Sequence, residues 1–379
     1  MYKSCKYQKD VVRAEVSCID ETMEVAEYNA VFHVEDAQLT YREQLTAINA
    51  ALSSLLSDIP NSICVFRRYF LSDAANQSEM LMNEVSSING AVSVVEQPPL
   101  DGTKVALWAY ILTNVEVRKD KAGFVVSHGG YSHVWTSNLY MKERDSYQQT
   151  EKILDKYAAD LSERGLSLEN DCIRTWFFVQ NVDVNYMGVV NARREVFEQH
   201  DLLPDTHYIT STGIGGRDAD PQVLVKMDAY AIEGLQAGQQ QFLYALDYLN
   251  PTYEYGVTFE RGVAVSYGDR KHLFLSGTAS IDNEGQVMYE GDVRRQTERM
   301  WLNCDKLYAE GGASIDADVQ VMIVYLRDIA DYQVVSQLYE KRFPQVPKVI
   351  LLAPVCRPGW LIEMESIASV KNKSQWKSF

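Results

Sequence analysis

The sequence predicts an α+β protein made of tandem modules, each running β-β-α-β-α-β. Three observations lead there. The chain repeats itself: QTEKILDKYAADL from Gln149 and QTERMWLNCDKLY from Gln296 keep one offset without a gap as far as Val182 and Ile329. In both copies, apolar residues at helical spacing give way to an apolar, β-rich run. A second helical stretch and a closing strand then follow in each. Self-similarity on this scale fixes the architecture before any single residue is assigned.

The first copy matches in pattern more than in identity. LTYREQLTAINAALSSLLSDI reads as an amphipathic helix, CVFRRYFLSD as a strand and QPPLDGTKVALWAYIL as the closing strand. In the middle copy HVWTSNLY is strand-like, and a helix carries Tyr147, Ile153, Leu154, Tyr157 and Leu161 until Gly165 stops it. Ile173–Val179 reads as a strand, Tyr186–His200 as a helix and Val223–Ile232 as the closing strand. In the last copy HLFLSGTASI precedes a helix with Val293, Met300, Trp301, Cys304, Leu307 and Tyr308, stopped at Gly311-Gly312. Val319–Leu326, Asp331–Phe343 and Leu361–Val370 complete it. The modules are placed at 1–120, 121–240 and 250–379, with linkers near Glu116–Gly130 and Gly234–Gly256.

Composition removes several function classes. The net charge of −16 repels phosphate backbones, and the densest basic run, Arg118–Lys121, is interrupted by Asp120. Nucleic acid is therefore not an expected partner. The six cysteines form no CxxC pair, which reads as reduced thiols. No run approaches the roughly 18 apolar residues of a membrane span, and the first residues lack a signal-peptide core. A cytoplasmic protein without a membrane partner is expected. The histidines form no HxxxH, and His128 and His133 have no acidic residue close by, so no metal or other cofactor is expected. GIGG at Gly213–Gly216 is not GxGxxG and reads as a turn; SGTAS is not GxSxG.

Glu363 is the residue most suited to chemistry. In the apolar strand WLIEMESIA, Glu363 and Glu365 share one face, and Ile362 and Met364 share the other. A carboxyl buried there has its pKa raised and donates a proton near neutrality. Arg357, six residues earlier, has the fork geometry that grips carboxylates.

The last module resembles the Rid/YjgF superfamily of enamine and imine deaminases, through LFLSGTASI, GDVRRQTERMWLNCDKLYAEGGAS, VMIVYLRDIADYQVVSQLYEKRFP and LIEMESIA. That superfamily is typically homotrimeric with clefts between subunits. The resemblance thus implies a monomer acting as a pseudo-trimer, with higher oligomers left open. NPTYEYGVTFERGVAV, SGTASI and CRPGWLIEME are similar to the chorismatase branch, as are RTWFFV and NARREVF in the middle module. This implies hydrolysis of the enolpyruvyl ether of chorismate or of a related small anionic metabolite. It makes Glu363 the proton donor and Arg357 a carboxylate clamp, with Arg193, Arg174 and Cys356 as further substrate contacts.

Two departures stand out. Rid deaminases carry an arginine where this chain has Lys348, and the loop DNEGQVMYEGD lacks the histidine usual in the chorismatase branch. A Rid-type deaminase would need Lys348 to face the substrate together with Glu363. A non-catalytic, ligand- or partner-binding pseudo-trimer would leave Glu363 solvated or salt-bridged. At the place of Glu363 the middle module has Lys226 and the first has Ala106, so one working cleft is expected.

Overall fold

The computed structural model describes residues 1–86, 89–120 and 123–379. Lys121, the end of the basic run noted above, lies outside the described residues. The first module runs β1 (Tyr2–Tyr7), β2 (Val12–Cys18), β3 (Glu27–Val34), α1 (Tyr41–Asp58), β4 (Ser62–Leu71), α2 (Ala74–Val85), β5 (Ala91–Glu96) and β6 (Val105–Thr113). The second runs β7 (Glu116–Asp120), β8 (Gly123–His128), β9 (Tyr131–Tyr140), α3 (Ser146–Ser162), a short α4 (Leu168–Asp171), β10 (Cys172–Val179), α5 (Val182–Gln199), β11 (Thr210–Gly215) and β12 (Val225–Glu233). The third runs β13 (Gln240–Leu243), β14 (Gly262–Ser266), β15 (Arg270–Ala279), α6 (Val293–Glu310), β16 (Val319–Leu326), α7 (Tyr332–Arg342), β17 (Lys348–Leu352) and β18 (Ile362–Lys371).

Three mixed sheets of one topology result: β1-β2-β3-β6-β4-β5, β7-β8-β9-β12-β10-β11 and β13-β14-β15-β18-β16-β17. The outermost pair is parallel in each, joined through the second helix. Every module thus has two strands beyond the β-β-α-β-α-β order expected from the sequence. The reason is local. β7 (EVRKD) has no buried position, β13 has four residues, and β11 (TSTGIG) carries the composition of a turn. The stretches read as linkers hold β7, β8 and β13, and the second sheet begins at Glu116.

Helices cover one face of each sheet. α1 turns Leu45, Ile48, Leu52 and Leu55 inward at helical spacing and starts with a Thr40–Glu43 capping box. Asp145 and Asp292 cap α3 and α6. α5 starts at Val182, before the expected Tyr186, because Asn181 adopts a left-handed φ of 47°. The opposite faces of the sheets meet one another. There Phe66 and Trp108 of the first module stack with Trp135 and Trp176 of the second, at centroid distances of 4.9–6.5 Å. Each buried aromatic removes about 150–250 Å² from water, which makes this layer the main adhesive between modules. Two ion pairs are buried within it, Arg68–Asp228 at 2.9 Å and Arg174–Glu365 at 2.6 Å.

Each edge strand also abuts the next module. Val94 N of β5 donates to Asn138 Oδ1 beside β12 at 2.9 Å, and Ser211 N of β11 donates to Ser276 Oγ of β15 at 2.9 Å. His33 Nε2 of β3 donates to Lys348 O of β17 at 3.0 Å. The three contacts mark three module interfaces. Register fixes the like positions: Ala106 lies opposite Phe70, Lys226 opposite Phe178 and Glu363 opposite Tyr325.

Candidate active site

The cleft between the second and third modules holds about 490 Å³ of space, counted out to its open mouth. Module two contributes Tyr186 and Arg193 from α5, and Ser211 and Gly213 from β11. Module three contributes Gly277 and Ala279 from β15, Glu363 from β18, the loop residues Cys356, Arg357 and Trp360, and the segment with Val257, Phe259 and Arg261.

Glu363 is 4% exposed and lines this cleft. Burial, and next the neighbouring Glu365 carboxylate, push its carboxyl up to about 8, against the opposing pull of Arg174 and Arg261. It is therefore mostly protonated at pH 7. Gly277 makes room for it: a Cβ built there would overlap the Glu363 carboxyl. Gly213 does the same for Tyr186, whose ring lies 2.8 Å from where a Cβ would sit.

Glu365, on the same face of β18, has a different setting. It accepts from Arg174 Nη2 at 2.6 Å, Thr212 Oγ1 at 2.6 Å and Tyr325 OH at 3.0 Å. The Arg174 guanidinium, one of these three donors, is also its ion-pair partner. The two carboxyls of this strand thus have different surroundings: Glu363 lines the cleft, and Glu365 is bonded to three donors.

The expected substrate residues separate into two groups. Arg193, Arg357 and Cys356 line the cleft with Glu363. Arg193 donates to Thr258 Oγ1 at 3.1 Å and to Ser211 Oγ at 3.3 Å, which sets its guanidinium toward the cavity. The Arg357 guanidinium lies 5.1 Å from the Trp360 ring centre. Burial, then the Glu363 charge, push the Cys356 thiol up to about 12, so it is an inert wall atom. Arg174 and Lys348 lie elsewhere. Arg174 is buried behind the cleft wall, holding Glu365 and Ser276 and stacked on Trp176. Lys348 opens β17, and its side chain lines the cleft between the third and first modules. The cation and the acid that a Rid-type deaminase would combine face different clefts.

Sequence reasoning passed over Arg261, Tyr186, Phe259 and Trp360. Arg261 and Phe259 stand in the quoted run NPTYEYGVTFERGVAV, but no periodicity marks them. The GIGG stretch read as a turn supplies Gly213, a cleft residue in β11. Among the described residues, no group of three or more His, Cys, Asp or Glu side chains is arranged to hold a metal, and no helix is long and apolar enough to cross a membrane.

Comparison with known proteins agrees with the architecture. The family model for endoribonuclease L-PSP matches residues 262–370. A RutC family protein of Pyrococcus abyssi (strain GE5 / Orsay) is 34% identical over 98 residues, covering 25% of this chain and 76% of that protein. The 3-aminoacrylate deaminase RutC of Acinetobacter baylyi is 29% identical over 100 residues, covering 26% and 79%. A chorismatase crystal structure aligns over 80% of this chain and 92% of its own, with a TM-score of 0.64 at 18% identity, so the fold spans all three modules. The chain belongs to the Rid/YjgF superfamily.

Proposed function

We propose that the chain is a chorismatase-like hydrolase, acting on the enolpyruvyl ether of chorismate or of a related small carboxylate. It works as a single-chain pseudo-trimer whose one working cleft lies between the second and third modules. The observation that carries this reading is a carboxyl kept neutral by burial, facing a cavity rimmed by Arg193, Arg261 and Arg357. A dicarboxylate needs more than one cation, and the three guanidiniums match planar carboxylates. Tyr186, Phe259 and Trp360 offer apolar surface to a carbon ring.

The chemistry follows from the protonation state. Glu363 delivers its proton to the terminal CH2 of the enol ether, which leaves an oxocarbenium ion at the carbon bearing the carboxylate. Water adds there and gives its proton back to Glu363. The resulting hemiketal loses the ring alcohol and releases pyruvate, so one water is consumed per ether cleaved.

A second reading, enamine hydrolysis, has one observation in its favour: the last module's 29% identity to a 3-aminoacrylate deaminase. An enamine carbon also needs an acid such as Glu363. The position of Lys348 in a different cleft weighs against it. The test is incubation with chorismate and enzymatic assay of pyruvate, beside 3-aminoacrylate as rival substrate. Pyruvate from chorismate with the wild type and none with Glu363→Gln is the expected result. Absence of pyruvate at any enzyme concentration rejects the chorismatase reading, and equal rates in the variant reject the role of Glu363.

A further inference from the structure

Neutral groups hold the arginines of the candidate active site. Arg193 donates to the hydroxyls of Thr258 and Ser211, and Arg357 lies 5.1 Å from the Trp360 ring centre. Arg261 is held by Asn250. Its Nη2 donates to the main-chain O and to the side-chain Oδ1 of Asn250, both at 3.2 Å. Buried arginines outside the cleft are held by carboxylates instead: Arg68 by Asp228, Arg174 by Glu365 and Arg270 by Glu27. The difference has a chemical meaning. A carboxylate fixes an arginine and cancels its charge, whereas an amide oxygen fixes it and leaves the charge in place.

The surroundings of Asn250 suit it to this hold. It is 3% exposed, and Arg261 is 4% exposed. Two acceptors of one residue on one nitrogen set the rotation of the guanidinium plane. The Arg261 backbone is fixed separately, because its O accepts from Ser276 N of β15 at 2.9 Å, next to Gly277. Behind Asn250 stands the turn Asp282–Gly285, closed by Gly285 N donating to Asp282 O at 3.2 Å. Gly285 has a φ of 79°, and a Cβ there would lie 2.8 Å from Asn250 Nδ2. Only glycine meets both the left-handed backbone and the close approach. The loop that lacks the expected histidine therefore has a use of its own: its glycine seats the Asn250 amide.

We propose that Asn250 is a positioning residue of the candidate active site. Its two carbonyl oxygens hold the Arg261 guanidinium in the cleft at full charge, where it grips the substrate carboxylate and acts on the Glu363 carboxyl. The grip on substrate rests on the carboxylate substrate proposed above; the action on Glu363 does not. The charged and titratable groups around Glu363 are Glu365 beside it on β18, Arg174 from β10, Arg193 from α5, Arg261, and Arg357 and Cys356 from the loop before β18. Because the holder of Arg261 is an amide, Asn250→Asp turns it into a carboxylate of nearly the same shape.

That substitution gives Arg261 an ion-pair partner and cancels its charge. NMR titration of 13C-labelled glutamate side chains follows Glu363 without substrate, with Glu363→Gln to assign its signal. The midpoint, about 8 in the wild type, should move to higher pH in Asn250→Asp and in Gly285→Ala, by roughly threefold or more in proton affinity. In the pyruvate assay both variants should raise KM by roughly fivefold or more and keep kcat within about threefold, which marks a lost grip on bound substrate. In an Arg261→Met background, Asn250→Ala should add nothing to KM or to the midpoint. Gly285 lies in a turn with exposed Asn283 and Glu284, so its variant folds and decides the matter even where Asn250→Asp does not. An unmoved Glu363 midpoint in Gly285→Ala overturns the proposal whatever the reaction, as does an Asn250→Ala effect that persists without Arg261. Absence of pyruvate from the wild type rejects the reaction alone, and the titration then decides on Asn250.

Discussion

Replacing Glu363 by Gln should remove activity and, at neutral pH, make the protein more stable. The carboxyl has an ordinary value of 4.5 and is pushed up to about 8 in the folded protein. A folded-state value above the unfolded one means that the folded protein holds this proton more tightly. Below pH 4.5 the group is neutral in both states and costs nothing. Between there and pH 8 the unfolded chain gains by ionising while the folded chain does not, so stability falls as pH rises. At about 1.4 kcal/mol per tenfold difference in proton affinity, the penalty is about 3 kcal/mol at pH 7 and about 5 kcal/mol above pH 8. Glutamine has the shape of the neutral acid and never ionises, so the variant escapes the penalty. Urea unfolding of wild type and Glu363→Gln at pH 4.5, 7 and 9 reads this directly. The difference should be near zero at pH 4.5 and grow with pH in favour of the variant. A difference that does not change with pH, or a variant that is less stable at pH 7, would refute the reasoning that burial holds this carboxyl neutral.

Further outcomes follow from the same geometry. Pyruvate release, as kcat/KM, should decline above about pH 8, where Glu363 loses its proton. Gly277→Ala forces the Glu363 carboxyl out of place and should lower kcat by roughly a hundredfold, with the circular-dichroism spectrum and unfolding midpoint near those of the wild type. Asp228→Asn leaves the fully buried Arg68 without its 2.9 Å partner and should cost about 3–5 kcal/mol in urea unfolding. Cys356 should resist alkylation by iodoacetamide at pH 8 in the folded protein and react only after unfolding, by mass spectrometry of the modified peptide.

The parts of the molecule that the sequence revealed are those where apolar periodicity governs the outcome. β16 was legible to the residue because it is one apolar run of eight consecutive buried residues. Glu363 was legible because a carboxyl in an apolar strand contradicts its surroundings. The hairpin strand β7 was illegible because its backbone pairing is specified by β8 alone, with no buried side chain to mark it. Arg174 was assigned to substrate through the resemblance of RTWFFV to the chorismatase branch. Whether an arginine meets a ligand or a neighbouring carboxylate depends on which module packs against it, and that contact to Glu365 spans 191 positions. Lys348 shows the same gap: its distance along the chain from Glu363 says nothing about which of the module interfaces it faces.

Those interfaces also explain why the copies differ. Three buried acids at the three register-equivalent places would each cost about 3 kcal/mol at pH 7. Together that is comparable to the whole stability of an ordinary domain, about 5–15 kcal/mol. A homotrimer must accept such a cost three times because one sequence builds every cleft. A single chain need not. Here the first module places Ala106 and the second places Lys226, bonded to Asp218, where the third keeps Glu363. The destabilising group is retained in one cleft, and the arginines that give it a use are gathered at that cleft alone: Arg193 from one side, Arg261 and Arg357 from the other. On this argument, placing an acid back at Ala106 or Lys226 should destabilise the chain without adding activity, because neither cleft carries those arginines.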